Sequence, residues 1–333
     1  MRNKDITIST SPFLKDRETT PKIMMQVVYT LIPVMLASFY YFGISALLVS
    51  VTAVVSCVFT EWLFNPPQNR TGSLKDGSAV ITGLLLALTL PPGFPLWMVF
   101  LGGFVAIGMG KAMWGGLGQI LFNPALLGRA FLQAAFPTAI TTWSVPGGTF
   151  LSLRGTNAAL PLFQGENVDA VSAATPLSKM KFENIATDTM DLLIGNTSGS
   201  LGETCAGLLI LAMIYLLYKK LINWRIPASI LLTVVILASI FYWIDPAEYP
   251  SPVFTLLSGG LMLGTVYMAT DLVTSPISPR GVWIYGIGIG ILVILIRYWG
   301  GLPEGVMYAI LLMNAATPLI NRFAKIRTYG HKA

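Results

Sequence analysis

The side chains able to carry redox, acid–base or metal chemistry are few. The chain has two Cys, Cys57 and Cys205, and one His, His331. An iron–sulfur cluster needs about four thiolates, and a zinc site several His or Cys. One His cannot supply both axial ligands of a haem. No metal site is expected, so electron transfer would use an organic cofactor or a partner's metal. What remains is a hydroxyl, an Arg and some carboxyls. In the stretch Asp169-Ala170-Val171-Ser172-Ala173-Ala174-Thr175-Pro176-Leu177, Thr175 is read as a helix N-cap, with Pro176 at the first helical position. Arg129 falls about two turns inside an apolar run, roughly 10 Å deep. It is either a charge partner for a bound ligand or a snorkelling and carbonyl-capping residue. Glu61, Asp76, Glu203, Asp271 and Glu304 lie near the ends of apolar runs. They could offer oxygen ligands to a cation, but ordinary helix-end placement explains them equally, with Glu203 and Glu304 in first turns.

The elements that hold these residues are apolar. Of 333 residues, 54% are hydrophobic and 11% charged, against about 25% charged in soluble proteins. Runs long enough to span a bilayer fall at about 23–43, 44–64, 79–92, 95–112, 117–136, 202–219, 227–245, 253–270, 281–299 and 303–320. The runs 79–92 and 253–270 are weak, and each ends in a Pro-rich stretch, Leu90-Pro91-Pro92-Gly93 and Thr274-Ser275-Pro276-Ile277-Ser278-Pro279. The expected architecture is an all-α polytopic membrane protein of about ten transmembrane helices. The polar segment 1–22 has no apolar core, so no cleavable signal peptide is expected.

Charge orients the spans. Arg2, Lys4, Lys15, Arg17 and Lys22 precede the first run, and Arg322, Lys325, Arg327 and Lys332 follow the last. Lys219, Lys220 and Arg225 follow the sixth, whereas Asp245 and Glu248 follow the seventh with no Lys or Arg. This alternation follows the positive-inside rule. Tails 1–22 and 321–333 are assigned to the cytoplasm, and segment 137–201 to the outer side of a cytoplasmic (inner) membrane. The net charge of +6 is thus a topology signal, and no nucleic-acid partner is expected. The Trp residues at span ends read as an interfacial belt.

Trp114-Gly115-Gly116-Leu117 recurs as Trp299-Gly300-Gly301-Leu302, followed in each copy by an Asn (Asn123, Asn314) and an Arg (Arg129, Arg322). WGGL could recur by chance in a Gly-rich chain. Taken as a repeat, it makes 23–136 and 202–320 two five-helix halves, and five being odd, the halves are inverted. Broken spans in matching positions are where such folds bind ligands. Segment 137–201 is too long for a connector.

The 169–177 stretch resembles the flavinylation motif of the RnfD subunits of Rnf electron-transport complexes and of the related membrane subunits of sodium-translocating NADH:quinone reductases. Those families carry Asp, Ser or Thr, Gly, Ala and Thr in this spacing, matched by Asp169, Ser172, Ala173, Ala174 and Thr175. The usual Gly is here Ala173. Phe122-Asn123-Pro124-Ala125-Leu126-Leu127-Gly128-Arg129, Gly199-Ser200-Leu201-Gly202-Glu203-Thr204 and Met268-Ala269-Thr270-Asp271-Leu272-Val273-Thr274-Ser275-Pro276 extend the resemblance over nearly the whole chain. The short N-terminal tail favours the Rnf family.

The resemblance implies covalent FMN, joined by a phosphoester to Thr175. Asp169, Ser172, Ala174, Arg129 and Asn123 become candidate cofactor-binding residues, and Thr175 is an anchor with no catalytic role. It further implies non-covalent riboflavin, expected near 79–92 and 253–270. It implies a ferredoxin:NAD+ oxidoreductase complex of a bacterial or archaeal membrane, moving Na+ or H+. The implied partners are a covalent-FMN subunit, iron–sulfur membrane subunits and a flavin transferase. A solute channel or secondary transporter is the alternative, since inverted repeats with broken helices also suit that function.

Overall fold

The computed structural model describes residues 19–66, 70–160, 173–203 and 205–324. Every secondary-structure element of these residues is helical. Helix α1 (Thr20–Phe42) and helix α2 (Ile44–Phe64) form a hairpin that turns at Gly43, whose φ is 65°. A side chain there would meet the Phe150 carbonyl oxygen at 2.5 Å, so the position requires Gly. The short α3 (Arg70–Lys75) leads into α4 (Ser78–Leu88), and α5 (Leu96–Gly110) follows the Pro91-Pro92 break. Two 3-10 turns, Ala112–Trp114 and Leu117–Gln119, precede α6 (Pro124–Ala135). Helices α7 (Pro137–Ile140), α8 (Pro176–Glu183) and α9 (Thr189–Ile194) belong to the long polar segment. The second half holds α10 (Ala206–Tyr218), α11 (Arg225–Ile244), α12 (Pro252–Leu257), α13 (Leu261–Leu263) with a π-helical turn Gly264–Met268, α14 (Pro279–Trp299) and α15 (Val306–Phe323).

Five helical segments are long and apolar enough to cross a membrane: Thr20–Phe42, Ile44–Phe64, Leu96–Trp114, Arg225–Ile244 and Pro279–Trp299. Ser78–Leu88 and Ala206–Tyr218 are shorter apolar helices. The chain is a polytopic membrane protein. Several expected spans are shorter than the apolar runs that suggested them. The run 117–136 is α-helical only from Pro124: Gly116, with φ 108°, breaks the chain before the 3-10 turn, and Asn123 with Pro124 sets the start of α6. The run 202–219 is helical from Ala206, and 253–270 divides at Ser258-Gly259-Gly260.

Backbone groups freed by these breaks find partners inside the protein, as an apolar surrounding demands. The carbonyls that end α4 accept from the turn before α10: Leu201 N–H reaches Leu90 O at 3.1 Å and Gly202 N–H reaches Leu88 O at 2.6 Å. The break after α12 is closed by side chains. Arg297 donates to Thr255 O at 2.6 Å and Ser258 O at 2.9 Å, and Gly260 N–H donates to Glu304 at 2.8 Å.

Packing repeats between the halves. Helix α2 packs on α4 and α5, and α5 on α6; correspondingly α11 packs on α12 and α14, and α14 on α15. The halves meet where α1 packs on α10 and α6 on α15. Lys111, buried near the end of α5, reaches Glu61 Oε1 and Ser78 Oγ, each at 2.5 Å, and ties α5 to α2 and α4.

Candidate functional site

Thr175 caps α8 in extended conformation, φ −69° and ψ 157°. Ser178 N–H donates to its Oγ1 at 3.2 Å, and the Ser178 hydroxyl lies 2.9 Å away. The cap expected from Thr-Pro is therefore formed. Only 6% of Thr175 is exposed. The residues before it are pinned on both sides: Ala173 N–H donates to Trp143 O at 3.0 Å, and Ser198 Oγ donates to Ala174 O at 2.8 Å. Ala173 is absent from the left-handed region, so its methyl group brings no backbone strain. Asp169 and Ser172 lie outside the described residues.

Thr175 opens onto a cavity of about 440 Å³ that it shares with Trp143, Phe182, Arg129, Glu203 and Glu304. These come from distant parts of the chain. Arg129 projects from α6 of the first half; Glu203 and Glu304 come from the turns before α10 and α15. Arg129 Nη2 lies 2.6 Å from Glu304 Oε2. The other Glu304 oxygen accepts the Gly260 N–H. Glu203 Oε2 accepts from Ser200 N–H at 3.3 Å, while its Oε1 and Arg129 Nε are buried without a protein partner. The expected first-turn placement of Glu203 and Glu304 is thus corrected. Both precede their helices, because each carboxyl is drawn to the donors of a break rather than to a helix end.

Lys181, in the last turn of α8, donates to Arg297 O at 2.8 Å, to Leu302 O at 3.2 Å and to Gly300 O. Partial burial lowers its pKa, whereas the three carbonyls favour its charged form. These are the orphan acceptors at the end of α14, so one ammonium fastens the helix that starts at Thr175 to the membrane part.

Asn123 is not brought to Thr175. It caps α6, accepting from Ala125 N–H at 3.1 Å and Leu126 N–H at 3.3 Å, and donates to Met268 O at 3.4 Å. It lines a second cavity of about 210 Å³ with Lys111, Ser78, Tyr267 and Asp271. The expected equivalence of Asn123 with Asn314 and of Arg129 with Arg322 also fails. Asn314 lies inside α15, where it accepts from Tyr285 OH at 2.7 Å, and Arg322 sits in its last turn. The two copies are also spaced differently: Asn123 lies nine residues after Trp114, but Asn314 lies fifteen after Trp299, which carries it well inside its helix.

Sequence reasoning missed Lys111, Lys181 and Arg297. A cation within an apolar run is a recognisable signal for the first and third. Lys181 sits in a polar segment and gives none.

Residues 7–330 match the NQR2, RnfD, RnfE family. Three relatives, each the D subunit of its complex, align along almost the whole chain. The first belongs to the proton-translocating ferredoxin:NAD(+) oxidoreductase complex of Clostridium ljungdahlii. The chain is 42% identical to it, over 97% of its own length and 96% of the relative's. The second belongs to the Na(+)-translocating ferredoxin:NAD(+) oxidoreductase complex of Acetobacterium woodii, and the identity is 39%, over 99% and 97%. The third, from the ion-translocating oxidoreductase complex of Stutzerimonas stutzeri, is 41% identical, over 95% and 94%.

Proposed function

Because the chain belongs to the NQR2, RnfD, RnfE family, we propose that it is the RnfD-type subunit of an ion-translocating ferredoxin:NAD+ oxidoreductase complex, carrying FMN on Thr175. The observation that carries the flavin reading is one cavity that unites the Thr175 hydroxyl with Arg129. Its volume of about 440 Å³ lies in the range of roughly 300–1,000 Å³ usual for cofactor pockets. A phosphoester oxygen on Thr175 keeps a lone pair, so it can still cap α8. The helix N-terminus and the Ser178 hydroxyl favour a phosphate there. Trp143 and Phe182 offer ring faces, and Arg129 Nε offers a free donor. The bound flavin would supply electron transfer. Thr175 retains it, Arg129 holds positive charge at the cavity, and Lys181 fixes α8 over the membrane part.

The packing repeat supports the finer architecture: inverted halves 23–136 and 202–320, joined by an extracytoplasmic 137–201 segment. In that orientation the Thr175 cavity faces outward and the Lys111 cavity inward. Asn123 and Arg129, six residues apart on α6, separate the two cavities by about 9 Å of helix rise. The inner cavity is bounded by α4 and the π-helical turn, within the broken spans; at about 210 Å³ it is smaller than the usual cofactor pocket, so a non-covalent riboflavin in this region would have to widen it. Electrons would thus pass inward from a covalent-FMN partner on the outer side, coupled to Na+ or H+ movement, with iron–sulfur subunits completing the complex.

The test is a denaturing gel of the chain from a host with a flavin transferase, viewed under ultraviolet light, followed by peptide mass mapping. A fluorescent band with FMN on Thr175, lost in Thr175→Ala, is expected. A dark band with unmodified Thr175 would overturn the flavin reading and leave the solute-transporter function that the inverted halves also suit.

A further inference from the structure

We propose that Glu203 is the proton-carrying group of the Thr175 cavity, a neutral acid whose proton moves when negative charge enters. The inference rests on Thr175 being the FMN anchor. Glu203 and Glu304 share one buried site, and two carboxylates so placed do not both ionise readily. Their partners decide which keeps the proton. Glu304 has the surroundings of an anion: the Arg129 guanidinium on one oxygen and the Gly260 N–H on the other. Glu203 has one N–H, at 3.3 Å on Oε2, and a buried Oε1 that meets no donor. A protonated Oε1 needs no donor and becomes one itself, free to meet an acceptor in the cavity that Glu203 lines.

The charged and titratable groups around Glu203 come from every neighbouring element. Arg129 projects from α6, Arg297 from α14 and Glu304 from the turn before α15, with Tyr308 of α15 next to Arg129. Arg297 is engaged with the Thr255 and Ser258 carbonyls, yet its charge, like that of Arg129, favours a Glu203 carboxylate once the proton has left. The step balances. One electron reaches the cavity from a redox partner, or from dithionite in the test. The Glu203 O–H bond breaks and its proton passes to a ring nitrogen of the flavin. Glu203 remains as a carboxylate facing the two arginines until water at the cavity mouth returns a proton.

The experiment is redox-induced infrared difference spectroscopy on the full chain, flavinylated in the cell, with FMN first mapped to Thr175 by mass. Reduction should remove the carbonyl stretch of a protonated carboxylic acid, and the band should shift in D2O. It should vanish in Glu203→Gln and move in Glu203→Asp, while Glu304→Gln, which frees Arg129 for Glu203, should weaken it. Thr175→Ala should lose it with the flavin. The midpoint potential of the bound FMN should lose pH dependence in Glu203→Gln. The same band in Glu203→Gln, or its absence from native chain that does carry FMN on Thr175, overturns the proton assignment alone. A native chain with no FMN on Thr175 overturns the anchor reading, and this inference with it.

Discussion

At the scale of single residues, Thr175 has two separable roles. Its side chain caps α8, and a lost cap costs about 0.5–2 kcal/mol. Its hydroxyl is the proposed ester donor. Asp is a good N-cap but cannot form the phosphoester, so Thr175→Asp should keep near-native thermal stability in detergent while losing all covalent flavin. Thr175→Ala should lose both. A fluorescent Thr175→Asp band would refute the anchor. Arg129 is the other decisive residue, because its guanidinium is the cation facing Glu304. Removing one member of a buried pair costs about 3–5 kcal/mol. Arg129→Gln should therefore lower the melting temperature sharply, and adding Glu304→Gln should recover much of the loss. An additive double variant would mean that the two residues do not act as a pair. The sequence makes Thr175 legible as a cap through Thr-Pro and as an anchor through the motif resemblance. It cannot reveal that Arg129 meets Glu304, because 175 residues separate them and the packing of α6 on α15 brings them together.

At the scale of elements, helix α8 carries the proposed flavin anchor at its cap. It has eight residues, too short to be stable by itself, so its position depends on what it docks against. Lys181 supplies that docking through the carbonyls of Arg297, Gly300 and Leu302. Hydrogen bonds from a charged donor contribute about 1.5–3 kcal/mol. Lys181→Ala should leave Thr175 flavinylated but loosen its helix: flavin fluorescence anisotropy should fall, and protease should cut the 137–201 segment faster. Lys181→Arg should restore part of both. Unchanged anisotropy in Lys181→Ala would show that α8 is held by other contacts. The breaks in the apolar runs are legible where Pro91-Pro92 or Gly259-Gly260 mark them. The late start of α6 at Pro124 is not, since Leu117, Ile120, Leu121 and Phe122 sustain an apolar pattern. Asn123-Pro124, a cap followed by Pro at the first helical position, outweighs that pattern.

At the scale of the whole molecule, the proposed function depends on orientation, because the inward electron route requires the Thr175 segment to face outward. The charges predict this arrangement: Lys219, Lys220 and Arg225 crowd the α10–α11 turn, while the 245–250 turn carries Asp245 and Glu248. The chain allows a direct test, since both native cysteines are buried, Cys57 at 0% and Cys205 at 8% exposure, and thus poorly reactive toward a polar maleimide. Leu151, in the polar segment, is 85% exposed, and Lys220 is exposed in the α10–α11 turn. In intact cells a membrane-impermeant maleimide should label Leu151→Cys and leave Lys220→Cys untouched until the membrane is opened. The reverse pattern would put Thr175 on the cytoplasmic side and the Lys-rich turn outside, away from an outer flavoprotein, and the inward electron route would fall even if FMN were found on Thr175. Labelling of both positions in sealed cells would mean that the two segments share a face, which an odd number of spans between them forbids.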